Sequence, residues 1–332
     1  VGVTVTKSNR DPRLLIPNGL KPADVRASRI DVPVRRLSGA TMGTGWSLAF
    51  VAHETLVTAA VVAALEDAFA LVIRQMSGWE RGSDLSQFNA APEGWRDNPP
   101  EFAFVLNRAL EIAALTDGAY DPSLGRHVEA AGFGSGLLTG QPVLQGWRSI
   151  KLDMAGLRVW QPGGVALDLS SIAKGYAVDL CADALRSLSV PSFLMEIGGE
   201  FLGQGVKPDA QPWWVGLELS DLPYAEDEPT GTDVALVNLA VATSGDFVRR
   251  REGGSHLLDG RTGRLVMGEL SGVAVLHASA MEADAWATAL FALGCDAGLA
   301  MAEAQGLAVV FAVRGEGGAR TLLSSAAQEM LG

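Results

Sequence analysis

The hydrophobic spacing of this chain switches repeatedly between the helical and the extended period, and the two kinds of segment do not alternate strictly. Thr58–Met76 repeats Leu65, Phe69, Val72, Ile73 and Met76 at helical spacing and stops at Gly78. Glu101–Leu115, Ser171–Leu188 and Ser279–Gly294 read as three more helices. A strand, turn and second strand are expected over Val32–Val51, with the turn near Gly39–Gly45. Further strands are expected at Phe193–Ile197, Trp213–Leu219, Val234–Ala242, Ser255–Leu258, Gly272–His277 and Leu307–Val313. A doubly wound sheet needs a helix between successive strands, whereas hairpin-like pairs are common here. The order therefore predicts an α+β architecture. Residues 1–30 lack periodicity and carry Pro12, Pro17 and Pro22, which reads as an arm ahead of one domain over residues 31–332. Ser77–Asn89 and the acidic stretch Asp221–Asp233 read as loops.

The 332 residues are 48% hydrophobic and 19% charged, the balance of a globular chain with a large core. The net charge of −12 and the lack of any Lys/Arg-rich run argue against nucleic acid or anionic lipid as the main partner. A small anionic ligand would then need a local cluster of donors or a metal ion. The most apolar stretch, Thr58–Ile73, is interrupted by Glu66 and Asp67, so no transmembrane segment is expected. The sequence opens on Val1 without a signal peptide, which suggests that a leader has been removed. Cys181 and Cys295 lie in or beside apolar helical patterns and read as buried small hydrophobes.

Two segments concentrate chemistry. Ala166–Asp179, ALDLSSIAKGYAVD, sets Asp168 at the end of a buried strand and Lys174 in the first turn of the next helix, with Ser170 or Ser171 as its cap. A cation there opposes the helix dipole, but a helix N-terminus plus an ammonium group is also a phosphate receptor. In SAMEADAWATALFALG, Ser279 and Glu282 have capping-box spacing, and Asp284 and Thr288 share one helix face. A carboxylate and a hydroxyl on neighbouring turns suit Mg²⁺, and equally suit a dipole contact and a hydroxyl bonded back to a carbonyl. His256, at a strand end, is either a proton shuttle or a structural histidine. Trp79, in a loop after a helix, either stacks on a planar ring or staples the loop. Gly132, Gly134 and Gly136 do not form a dinucleotide fingerprint, and no Walker loop, zinc spacing or hydrolase elbow is present.

Taken in order, these segments resemble the FAD:protein FMN transferase, or ApbE-like, family. The matching pieces run from ATMGT at Ala40–Thr44 through SDLSQFN at Ser83–Asn89, DGAYDPSLG at Asp117–Gly125 and LDLSSIAKGYAVD at Leu167–Asp179. They continue with EIGGEFLGQG at Glu196–Gly205, ATSGDFVR at Ala242–Arg249, HLLDGRTG at His256–Gly263 and ADAWATALFALG at Ala283–Gly294. The resemblance implies mixed or antiparallel sheets with packed helices and an FAD site in a cleft between subdomains. It implies Mg²⁺-dependent transfer of FMN from FAD to a Thr or Ser hydroxyl of an acceptor protein bearing an S/T-G-A-T/S-like sequence, with release of AMP. By the same resemblance Met42, Trp79, Ala119, Tyr120, Asp121, Asp168, Lys174 and Leu258 would contact the flavin nucleotide. Asp284, Thr288 and the Ser171 carbonyl would ligate Mg²⁺, and His256 is the candidate proton acceptor.

The rival readings are an Mg²⁺-dependent FAD pyrophosphatase and a non-catalytic FAD-storage protein. The resemblance also implies export to the bacterial periplasm. Two positions depart from the family pattern. Gly260 stands where proline is common and is expected to loosen its turn, and Glu200 stands where aspartate is usual.

Overall fold

The computed structural model describes residues 11–27, 32–246 and 256–332. At its centre lie eight strands in one sheet, and their spatial order is their chain order. They are β1 (Arg35–Thr41), β2 (Thr44–Val51), β3 (Ser192–Ile197), β4 (Glu200–Gln204), β5 (Leu239–Gly245), β6 (Leu270–His277), β7 (Ala308–Gly315) and β8 (Gly318–Leu323). Every neighbouring pair is antiparallel. Among the described residues, seven α-helices are insertions in this meander, and one short helix, Ser325–Gln328, follows β8. Helices α1 (Thr58–Met76), α2 (Asp84–Ala90), α3 (Pro100–Leu115), α4 (Gly125–Ala130) and α5 (Ala173–Ser187) lie between β2 and β3. Helices α6 (Ala280–Leu293) and α7 (Cys295–Gln305) lie between β6 and β7.

The period-two alternation of the strands divides the core into two layers. Leu48, Phe50, Val273, Val275, Val309 and Phe311 point to the helices, while Ala49, Val51, Ala274, Leu276, Val310 and Ala312 point to the other face. That second face is covered by a small sheet in which Arg13–Leu15 pairs parallel to Thr232–Leu236, itself antiparallel to Trp213–Leu217. Leu15, Trp213, Val215 and Val234 fill the space beneath it. On the helix side α6 is buried nearly all round, with Trp286 and Phe291 closed off from solvent. Burial of two such rings contributes roughly 2–3 kcal/mol each. The alanines of α6 let α5 approach closely: a Cβ on Gly175 of α5 would overlap the Ala280 carbonyl oxygen and stand 2.8 Å from Asp284 Cβ.

Several expectations from the sequence need correction. Val234–Ala242 is two strands in two sheets, because Asn238 at φ +53° turns the chain between them. Ser77–Asn89 contains α2, too short to announce itself by periodicity; the Ser83 hydroxyl accepts the Ser86 amide at 3.0 Å and caps it. Neither Ser170 nor Ser171 caps α5, whose N-cap is Ile172 without a side-chain bond. Cys295 is half-buried at the start of α7, while Cys181 is fully buried. Residues 1–10 and 28–30 of the arm, residues 247–249 of the ATSGDFVR segment, and Ser255 of the Ser255–Leu258 strand lie outside the described residues. Within that last range Leu258–Asp259 pairs with Arg264–Leu265.

Candidate active site

Asp168 is held by its neighbours' backbone groups. The Asn89 side chain accepts from the Leu167 amide at 2.7 Å and donates to the Leu167 carbonyl at 2.9 Å, as a neighbouring strand would. The Asp168 amide donates to the Pro122 carbonyl at 2.8 Å and the Gly125 amide to the Ala166 carbonyl at 2.9 Å. These bonds lock the DPSLG turn against the LDLSS segment. Asp168 Oδ1 accepts the Ser170 amide at 2.8 Å, an Asx turn that aims the chain into α5. Ser171, instead of capping, donates its hydroxyl to the Tyr120 hydroxyl at 3.1 Å.

Lys174 then meets two buried carboxylates. Its Nζ is 2.6 Å from Glu200 Oε1 and 3.8 Å from Asp284 Oδ1, and its side chain keeps 29% exposure. These charges offset the unfavourable position of a cation at the start of a helix. Burial raises the pKa of both carboxylates, and the neighbouring ammonium opposes that rise. Glu200 Oε2 is buried with no hydrogen-bond partner among the described residues. Asp284 Oδ2 accepts the Gly175 amide at 3.0 Å. In an unbroken helix that amide would bond the Ser171 carbonyl. Among the described residues no backbone amide bonds to the Ser171 carbonyl.

The start of α6 is fixed from α5. Asp179 lies one turn beyond Gly175, on the same helix face. Its carboxylate accepts the Ser279 hydroxyl at 2.6 Å and the Ala280 and Met281 amides at 2.8 and 3.0 Å. The expected capping box is half realised: the Glu282 amide donates to Ser279 Oγ at 3.3 Å, but the Glu282 carboxylate pairs with Arg108 at 2.6 Å. One turn beyond Asp284, the Thr288 hydroxyl lies 3.0 Å from Ser244 Oγ at the end of β5.

Asp121 and Tyr120 line the same region and are buried. Burial, augmented by the charges of Asp284, Asp168 and Asp121, holds the Tyr120 phenol protonated well above its ordinary range. Burial pushes the Asp121 carboxyl up to about 6 despite bonds from the Ser123 amide and hydroxyl, and its Oδ2 has no partner among the described residues. The turn after Leu258 docks here, with the Gly260 amide donating to the Ala119 carbonyl at 3.1 Å. A Cβ on Gly260 would overlap the Gly118 carbonyl oxygen and stand 2.5 Å from Asp121 Cβ. Glycine therefore pins this turn instead of loosening it, because its bare Cα and its N–H are both used.

The remaining predicted residues lie on other segments of the chain. Met42, at φ +48°, occupies the tip of the β1–β2 hairpin, and that hairpin's Gly45 carbonyl accepts the Gly198 amide next to Glu200. Trp79 is 68% exposed on the loop after α1. His256 stands edge-on to Phe133, with ring centroids 6.2 Å apart. A cavity of about 350 Å³ opens at the far end of α6, beside Phe291 and Gly294, and none of the predicted site residues lines it. Sequence reasoning passed over Asp179 and treated Glu200 only as a departure. The i, i+4 spacing of Gly175 and Asp179 was the signal available for the first.

A sequence model of the ApbE family matches residues 42–311. The chain belongs to this family. Among its relatives, the FAD:protein FMN transferase of Haemophilus influenzae is 32% identical, over 92% of this chain and 93% of that protein. The protein of the same name from Vibrio cholerae is 30% identical over 89% of this chain and 92% of its own length. The crystal structure of the Pseudomonas stutzeri flavinyl transferase ApbE in its apo form superposes with a TM-score of 0.81 at 31% identity, covering 91% of this chain and 97% of that one. The antiparallel sheet with inserted helices is thus the fold of ApbE flavin transferases, and the α+β expectation holds.

Among the described residues, no group of three or more His, Cys, Asp or Glu is disposed to hold a metal. What this ApbE-family chain offers in that role is one carboxylate, one hydroxyl and one carbonyl. All are hard oxygen donors, the kind Mg²⁺ takes in small number while keeping water. The Gly175 amide is taken by Asp284, and among the described residues no backbone amide takes the Ser171 carbonyl, a donor set whose chemistry fits such an ion.

Proposed function

We infer that this chain is an FAD:protein FMN transferase. Its family and the names of its relatives support flavin transfer as the reaction. We propose further that transfer is Mg²⁺-dependent, that the acceptor is a Thr or Ser hydroxyl in an S/T-G-A-T/S-like sequence, and that AMP leaves. The observation that carries this finer reading is the junction of α5 and α6, where Lys174 lies 3.8 Å from Asp284 and Asp284 takes the Gly175 amide that a regular helix would bond to the Ser171 carbonyl.

In this reading the acceptor oxygen forms a bond to the FMN phosphorus, the pyrophosphate P–O bond breaks, and AMP departs with the bridging oxygen. Asp284, Thr288 and the Ser171 carbonyl would hold Mg²⁺, which when bound neutralises charge building on the phosphoryl oxygens. Lys174 lies within reach of the same region and adds a cation at a helix N-terminus. Tyr120, kept protonated by burial, donates a hydrogen bond without risk of ionising. The Ala119–Asp121 turn and the hairpin at Leu258 form one wall against the nucleotide, with Asp168 on the adjoining segment. Trp79 and Met42 offer an exposed ring and a flexible thioether for the flavin. His256 is the proposed acceptor of the hydroxyl proton. An exported, periplasmic location belongs to the same proposal; cell fractionation tests it.

The test is incubation with FAD, Mg²⁺ and a peptide containing an S-G-A-T sequence, followed by intact-mass and nucleotide analysis. Peptide carrying FMN, with one AMP per transfer, is expected. FMN and AMP with unmodified peptide would make the protein a pyrophosphatase, and FAD recovered intact would make it a storage protein.

A further inference from the structure

Glu200 is a buried acidic residue, ion-paired with Lys174 and outside the set of residues assigned above. It opens β4 directly after the tight Gly198-Gly199 turn, both glycines at positive φ. That turn is fixed on both sides. The Gly198 amide donates to the Gly45 carbonyl at 3.1 Å, and the Gly199 amide to Glu196 Oε1 at 3.1 Å. A Cβ on Gly198 would press to 2.8 Å from Thr44 Cγ2, which leaves the turn little room to shift. Glu200 is therefore delivered to one place, and there its Oε1 takes the Lys174 ammonium at 2.6 Å. The same ammonium is 3.8 Å from Asp284 Oδ1, beyond hydrogen-bond distance.

An ammonium and a divalent cation compete for the same carboxylate. Lys174 is long and partly exposed, so its head can swing, and among the described residues Asp284 is the second buried carboxylate that its ammonium approaches. Whatever holds Lys174 elsewhere keeps Asp284 available. We propose that Glu200 is a positioning residue that draws the Lys174 ammonium away from Asp284 and so keeps that carboxylate open to a divalent cation. This inference rests on the reading of Asp284 as a metal ligand. The orphaned Glu200 Oε2 fits it: among the described residues that oxygen has no hydrogen-bond partner, and the carboxylate's ion pair is with Lys174. The two carboxylates thus share one lysine unequally, and the inequality favours the metal.

The test is Mn²⁺ binding to the full chain by calorimetry, with thermal melts as the folding control. Glu200→Gln keeps the shape and removes the charge. It is expected to weaken Mn²⁺ binding at least about tenfold, since opposite unit charges at such distances interact by more than that factor requires. Glu200→Asp keeps the charge and is expected to stay within about threefold of the parent chain. In a Lys174→Met background no ammonium remains to compete, so adding Glu200→Gln is expected to change Kd by less than about threefold. Unchanged binding in Glu200→Gln overturns the proposal, as does a Glu200→Asp chain as weak as Glu200→Gln. A tenfold loss in the Lys174→Met background also overturns it, because Glu200 would then act by its own charge. If the single Glu200→Gln chain does not fold, the Lys174→Met pair decides alone, since deleting the ion pair as a unit is tolerated better than halving it. A parent chain and an Asp284→Ala chain that bind Mn²⁺ equally would instead refute the metal reading itself.

Discussion

Gly175→Ala sets two effects of known size against each other. In an ordinary exposed helix, replacing glycine by alanine gains about 1 kcal/mol. At Gly175 the added methyl has no space: it would overlap the Ala280 carbonyl oxygen and crowd Asp284 Cβ at 2.8 Å. Overpacking of this kind costs about 1–3 kcal/mol. Pushing α5 off α6 also stretches the 3.0 Å bond from the Gly175 amide to Asp284, and losing a hydrogen bond to a charged group costs about 1.5–3 kcal/mol. Set against the helical gain, the net loss is roughly 1.5–5 kcal/mol. Urea unfolding followed by circular dichroism reads this directly, and Mn²⁺ affinity should fall with it because Asp284 moves. A Gly175→Ala chain as stable as the parent, or more so, would refute the close α5–α6 contact from which the site is built.

Gly260→Pro deletes the N–H bonded to Ala119 and puts ring atoms where a Cβ already overlaps the Gly118 carbonyl; a loss of about 2–4 kcal/mol and weaker FAD binding by fluorescence titration are expected. Asp179→Ala removes the carboxylate that accepts the Ser279 hydroxyl and two α6 amides, and should lower stability by about 2 kcal/mol in denaturant titrations and reduce metal affinity. Asp121, with a folded pKa of about 6 against 3.8 for the free group, binds its proton more tightly folded than unfolded. Its contribution is therefore full below about pH 4 and is lost as pH rises through about 6, about 3 kcal/mol in all. Asp121→Asn should flatten the stability profile between pH 4 and 7; an unaltered slope would contradict this.

The fold class was legible because the change of hydrophobic period survives in a single sequence. The order of the sheet was not, since nothing local says that β2 and β3, separated by five helices, are neighbours. Val234–Ala242 read as one strand because Asn238, whose turn separates two sheets, sits within an otherwise apolar run. At the site, Asp168, Lys174 and Asp284 stood out by chemistry at a helix start. Glu200 and Asp179 did not, because each acts on a segment distant in sequence: Glu200 on α5, Asp179 on α6. The role of Gly260 was misjudged for the same reason. A glycine looks permissive until the carbonyl packed against it is known.

The proposed transfer depends on a divalent-cation site formed by Asp284, Thr288 and the Ser171 carbonyl at the α5–α6 junction. Anomalous diffraction from crystals grown with Mn²⁺ and FAD locates the ion. One strong peak is expected, bonded to the Asp284 carboxylate, the Thr288 hydroxyl and the Ser171 carbonyl and lost in Asp284→Ala. A Mn²⁺ peak that avoids Asp284, or FAD bound with no metal between these three oxygens, would contradict that assignment.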